Sequence, residues 1–390
     1  MIRFGTALLG TVLLLGAVSC APYTATESLL GLLLVNSGSP PTSTPSGSAN
    51  WWNSAWRLRR SLQIDNSSHG ALADFPILVQ LNNSRIDYSQ AAADGSDLCF
   101  VSATAAANSA PLAHEIESWD NSGTSIVWLK VPSINANSNT EVIYMYYGGP
   151  GCATTASAVW SSSYQTVWHL NGSLQDSTAN SNHLSNSGAT PVGAKMAQGY
   201  SFNGSGNQLE DADGELYING QTALSFSAWI KAATVGSDKG IFITDSPSGA
   251  DDRHGLRFDQ SGVSGGCTNY FKAGTNVSGS TMQQESSSSV QSTDWTLVHL
   301  VWQSGQSFQF YRNGVLDTPS FNSGAPAGSL SNASTVLIGK GAKDTGANSW
   351  NGLIDEVRIS NAAQSADWIS AQYASMSDSY LLYGSVDQNR

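Results

Sequence analysis

Leu224-Ser225-Phe226-Ser227-Ala228-Trp229-Ile230-Lys231 is the stretch on which the fold turns. Leu224, Phe226, Ala228 and Ile230 recur at every second position, and Ser225, Ser227 and Lys231 fill the positions between. A period of two puts alternate side chains on opposite faces, so the stretch reads as a β-strand with one apolar side. Downstream, Asn313-Gly314 separates a run at residues 308–311 from Val315-Leu316. Asn-Gly tolerates the positive φ of a two-residue hairpin turn, and it is the strongest hairpin signal in the chain. Similar short runs occur at residues 166–170, 199–202, 240–244, 255–259, 295–302, 335–338 and 353–359. Ser365 is suited to cap one short helix over 366–373, and residues 381–383 suit a last strand. Many short strands with little helix imply a β-sandwich of jellyroll type over residues 164–390.

A second series lies upstream, over residues 51–149. Leu58, Leu62 and Ile64 open it, followed by runs at 75–81, 97–101, 112–119, 125–131 and 141–147. Each is bounded by Asn, Ser, Gly or Pro, as expected for a separate all-β sandwich. Pro76 lacks a ladder N–H, which suits an edge strand or a strand start. Residues 150–163, rich in Gly, Ala and Ser, form the linker. The chain is therefore read as all-β throughout, an N-terminal β-sandwich followed by a jellyroll.

Of 390 residues, 17 are basic and 29 acidic, giving a net charge of −12, which argues against a nucleic-acid partner of the phosphate-binding kind. Ala7 to Val18 is an apolar run after Arg3, too short to span a bilayer and of signal-peptide length. Residues 1–19 are read as that signal, and the Ser/Pro-rich remainder of 20–50 as a flexible tether. Beyond Cys20, the cysteines are Cys99, Cys152 and Cys267. Export permits one disulfide among them, and sequence leaves the pairing open.

Three resemblances follow from these residues. Ala17-Val18-Ser19-Cys20 resembles a bacterial lipobox, which implies lipidation at Cys20 and a membrane partner through the anchor. Asp94-Gly95-Ser96-Asp97-Leu98-Cys99-Phe100, Glu115-Ile116-Glu117-Ser118-Trp119 and Tyr146-Tyr147-Gly148 resemble a bacterial surface-protein domain of unknown function. Val167-Trp168-His169-Leu170, Tyr200-Ser201-Phe202-Asn203-Gly204, the Leu224–Lys231 stretch and Asn351-Gly352-Leu353-Ile354-Asp355-Glu356-Val357-Arg358 come in the order of a LamG-like, concanavalin A-type lectin/glucanase jellyroll. Together the three resemblances imply a secreted or cell-surface lipoprotein, on the bacterial outer membrane or cell surface, binding a glycan or glycoprotein. The alternative is an adhesin or structural protein that binds a protein partner or extracellular matrix.

The chemistry expected is limited. The resemblance implies a structural calcium ion with Asp355 as ligand, helped by Asp176, whose loop offers oxygens at 176, 178, 180 and 182. Pairing of Asp355 with Arg358, and Asx-turns in the loop, account for the same residues. Trp350, in a polar loop, is the aromatic best placed to stack on a sugar. Asp252, Arg253 and His254 offer a polar rim, though they equally suit a solvated turn. His114, Glu115 and Glu117 tempt a metal reading. On a strand, however, the two carboxylates face away from His114, which leaves a poor zinc set. A retaining glycosidase needs two carboxylates ~5–5.5 Å apart facing one cleft. No alternating Glu-x-Asp-x-Glu run exists, Asp355 and Glu356 are adjacent and so point oppositely, and 210–215 reads as a loop. The chain is therefore read as no enzyme.

Overall fold

The computed structural model describes residues 51–161, 163–235, 239–244, 254–259, 270–278, 281–317, 319–322, 324–340 and 349–389. Its first sandwich packs a four-stranded sheet on a three-stranded one. The three-stranded sheet runs Leu72–Leu81, Ser125–Ile134, His114–Ser118, so Pro76 lies on an edge strand. Leu62, Ile64, Phe75, Ile77, Val79, Val127, Leu129 and Met145 fill the space between, each sealed from water. Burial of one such side chain contributes ~1.5–3 kcal/mol.

Cys99 and Cys152 are disulfide-bonded across 53 residues of chain. On the loop-entropy view such a closure stabilises by about 4 kcal/mol. Cys267 lies outside the described residues. The bond marks an extracellular protein, since disulfides persist in oxidising compartments.

The second sandwich is built from two eight-stranded antiparallel sheets. One places Ala223–Ala232 between Thr296–Gln303 and Asn351–Ser360, with Tyr164–Trp168 also paired to the latter. Phe226, Ala228, Ile230, Ile354, Val357 and Ile359 face the common core. The Asn313-Gly314 turn is formed as expected, with φ of 50° and 79° joining Gln309–Arg312 to Val315–Asp317. Within 210–215 only Ala212-Asp213-Gly214 form the expected turn. Gln208–Asp211 is a strand, and Glu215–Ile218 is one helical turn.

The C-terminal segment departs from the expected domain boundary. Ser365 caps the Ala366–Met376 helix as predicted, its Oγ accepting from the Trp368 N–H. The helix then hands the chain back to the first sandwich. Leu381–Gln388 pairs antiparallel with Leu58–Ile64 and completes the four-stranded sheet. Residues 381–388 thus belong to the N-terminal module rather than to the jellyroll. Tyr380 and Leu381 enter its core, and the Tyr380 hydroxyl donates to Asn66 at 2.6 Å.

The two modules share a further apolar cluster. Leu78, Ile126 and Trp128 of the first meet Val167, Trp229 and Leu297 of the second, with Trp160 of the linker and Met376 of the helix between them.

Candidate functional site

Among the described residues, Glu115, Glu117, His169, Glu356 and Arg358 gather at this junction. In the Ser-rich face of Ala223–Ala232, Ser227 opposes Arg358 and Trp229 opposes Asp355, so one extra residue of Asn351–Ser360 is bulged out. Glu356 takes a φ of 54° at that bulge. Bulges re-aim side chains, and here the effect is to send the Glu356 carboxylate to Arg358 Nη2 (2.6 Å) and to His169 Nδ1 (2.7 Å). Strict alternation of Asp355 and Glu356 is therefore broken. Asp355 does not pair with Arg358 either. One of its oxygens accepts from the Met196 N–H at 2.7 Å, and the other is buried without a hydrogen-bond partner.

His169 follows the Tyr164–Trp168 strand, and the His114–Ser118 strand lies opposite it. Glu115 and Glu117 do share one face of that strand, as expected. His114 is buried apart from them, edge-on to Phe100, and burial lowers its pKa to about 4. The imidazole that those carboxylates lack on their own strand comes from the second module. Glu117 Oε2 lies 3.4 Å from His169 Nδ1, and Glu115 Oε2 lies 3.5 Å from His169 Nε2. Trp128 Nε1 donates to Glu117 at 2.7 Å, while Trp160 Nε1 and Ser177 Oγ both donate to Glu115 at 2.8 Å. The Arg358 guanidinium lies 4.2 Å from the Trp128 ring centre and 4.9 Å from that of Trp160. Neither Glu117 nor Glu356 has any side-chain exposure.

Burial opposes every charge here, so neighbours decide each protonation state. Burial and the charge of Glu356 push the Glu117 carboxyl up to about 8. Against burial, His169 and Arg358 hold Glu356 below its usual value. His169 also resists burial, and Glu356, Glu117 and Glu115 raise its pKa well above 6.5. Asp355 is raised by burial and by Glu356. One ligand atom from each of Glu117, His169 and Glu356 lies within 4.8 Å of the others, the one such His/Cys/Asp/Glu group among the described residues.

The residues singled out in the sequence fall elsewhere. Trp350 is not an exposed platform. It is fully buried in the jellyroll core, its indole N–H donating to the Leu353 carbonyl. Polar neighbours suggested a loop, but Ser349 bridges Lys340 and the strand begins at Asn351. Asp176 is not free to bind an ion with its carboxylate alone. One oxygen accepts from the Val167 and Thr178 N–H groups, the other from Thr178 Oγ1 and the Asn182 N–H. Those four donors make it the organiser of its own loop. Asp252 and Arg253 lie outside the described residues, as does Cys20. His254 begins the His254–Asp259 strand, paired to Thr244.

A cleft of about 400 Å³ opens beside the hairpin of the second module. Gln303, Gln306, Gln309 and Asp317 line it together with Phe308 and Leu316. The three glutamines are exposed, and Leu316 is 54% exposed. Sequence reasoning passed over these residues, because isolated glutamines on strand ends carry no motif.

Comparison with known families gives two matches. Residues 94–172 match a domain of unknown function, DUF2341. Residues 203–370 match the concanavalin A-like lectin/glucanases superfamily. The C-terminal half carries a concanavalin A-like lectin/glucanase domain. Among solved structures, domain 4 of an extracellular arabinanase from Geobacillus stearothermophilus, in complex with arabinotriose, is 19% identical. It covers 53% of this chain and 96% of that one at a TM-score of 0.36. The binding domain of botulinum neurotoxin DC in complex with SialylT is 12% identical, covering 55% and 52% at 0.41. The binding domain of Paraclostridial mosquitocidal protein 1 is 14% identical, covering 52% and 49% at 0.38. The chain spans about half the length of these toxin domains. No curated protein matches it.

Proposed function

We propose that the chain is a non-catalytic, surface-displayed protein whose lectin-like domain binds glycans in the cleft between Gln303, Gln306, Gln309 and Leu316. The observation that carries this reading is the cleft's chemistry. Each glutamine offers an amide donor and acceptor, the pattern that matches sugar hydroxyls. Leu316 supplies an apolar surface for the C–H face of a ring. The non-catalytic part rests on the carboxylates. Glu117 and Glu356 are close together but sealed between modules, where a polysaccharide has no entry.

A glycan array probed with the full chain, followed by calorimetry on any hit, tests the binding. Two hydrogen bonds contribute ~0.5–1.5 kcal/mol each, so a Gln306→Ala, Gln309→Ala double variant should bind about tenfold more weakly. No hit on the array, or equal affinity in the variant, rejects the reading.

Display through a lipid on Cys20 belongs to the same proposal and is supported by the lipobox-like Ala17-Val18-Ser19-Cys20. Cells fed labelled fatty acid should mark the wild type and not Cys20→Ala. Equal labelling removes the anchor and leaves glycan binding to be judged on its own test.

A further inference from the structure

We propose that Glu117, His169 and Glu356 form a zinc-type divalent-cation site that staples the two modules together. One ligand comes from the His114–Ser118 strand of the first module. The other two come from the second module, on the turn after Tyr164–Trp168 and at the bulge of Asn351–Ser360. An ion bound to all three would tie segments 239 residues apart in sequence, the separation of positions 117 and 356.

The donor set favours this class of ion. One imidazole nitrogen and two carboxylates suit zinc, whereas calcium and magnesium take six or more oxygens. Ligand atoms at ~2.1 Å around a tetrahedral ion lie about 3.4 Å apart. The Glu117 Oε2 to His169 Nδ1 distance is 3.4 Å. Glu356 sits closer, at 2.7 Å from the same nitrogen, so its carboxylate must withdraw by several tenths of an ångström. The second oxygen of Glu117 is buried and has no hydrogen-bond partner, so it is available to complete a bidentate grip.

The outer groups fit as well. A metal-bound histidine is oriented by an acceptor on its other nitrogen. His169 Nε2 has no hydrogen-bond partner but faces Glu115 at 3.5 Å. Trp160 and Ser177 in turn hold Glu115. Four carboxyl groups gather here, Glu115, Glu117, Asp355 and Glu356, against the single arginine Arg358, and a divalent ion would offset that excess. Trp128 and Trp160 wall the site from water, where uncompensated charge is costly.

The full chain, purified without chelator, should carry about one equivalent of zinc by elemental analysis. Stripping with chelator should lower the melting temperature and added zinc should restore it. Cobalt in place of zinc should give the visible absorption of a four-coordinate site. Glu117→Gln keeps the shape of the side chain and removes a ligand charge, so zinc affinity should fall at least tenfold. Glu115→Gln should weaken binding by ~10–100-fold through the histidine. The wild-type measurements stand even if a variant fails to fold. A wild-type chain with no bound zinc and no zinc-dependent melting shift overturns the proposal. Unchanged zinc binding in Glu117→Gln overturns it equally. Neither result bears on the glycan cleft, which lies in another part of the domain.

Discussion

Asp176 holds the 176–182 loop with its own carboxylate, and four donors converge on its two oxygens. Hydrogen bonds to a charged group are worth ~1.5–3 kcal/mol each, and water replaces part of that in a variant. Asp176→Ala should therefore cost roughly 2–3 kcal/mol of stability. The loss should be the same in calcium and in chelator, as read by thermal melting. A calcium-dependent shift in the wild type that disappears in the variant would restore Asp176 as a ligand. The residue type was legible in the sequence, and so was its turn-forming loop. What the sequence withholds is which atoms fill an acidic side chain's lone pairs. Trp350 shows the same limit from the other side. It sits between the Ser349 bridge and the polar start of the Asn351–Ser360 strand, and the jellyroll core still buries its ring.

At the scale of elements, the alternation in 224–231 and the Asn313-Gly314 turn were readable because both are local. A side-chain period and a positive φ are set within a few residues. The bulge at Glu356 was not readable. It needs a partner strand against which one residue becomes surplus, and that partner, Ala223–Ala232, is far away in sequence. The junction cluster was lost for the same reason. Glu115 and Glu117 were correctly placed on one face, yet their histidine arrives from residue 169, through packing of one sandwich on another. Thr281–Val290 escaped notice because Gln, Glu and Ser fill most of it, and its pairing with Tyr270–Val277 runs through the backbone. The final strand was expected, but not its partner. Residues 381–388 have strand character wherever they dock, and nothing local says that the open edge of Leu58–Ile64 receives them.

Over the whole molecule, this returning strand changes what counts as a domain. The first sandwich contains residues from both ends of the described chain, and the jellyroll is an insertion between its sixth strand and its last. The apolar cluster of Leu78, Trp128, Trp160, Trp229, Leu297 and Met376 then binds the two bodies along their contact. Neither module can open without exposing part of that cluster or stripping an edge strand from the four-stranded sheet. The full chain should accordingly melt in one cooperative transition, with calorimetric and van't Hoff enthalpies agreeing. A chain ending at Ser379 lacks the strand and the Tyr380 bond to Asn66. It should melt at a lower temperature as a single unit, because the shared cluster couples loss of the first sandwich to the second. Two separated transitions in the wild type would sink this account. They would mean that the junction is a contact between independent bodies, and that the cleft in the jellyroll is not held in fixed orientation to the N-terminal module.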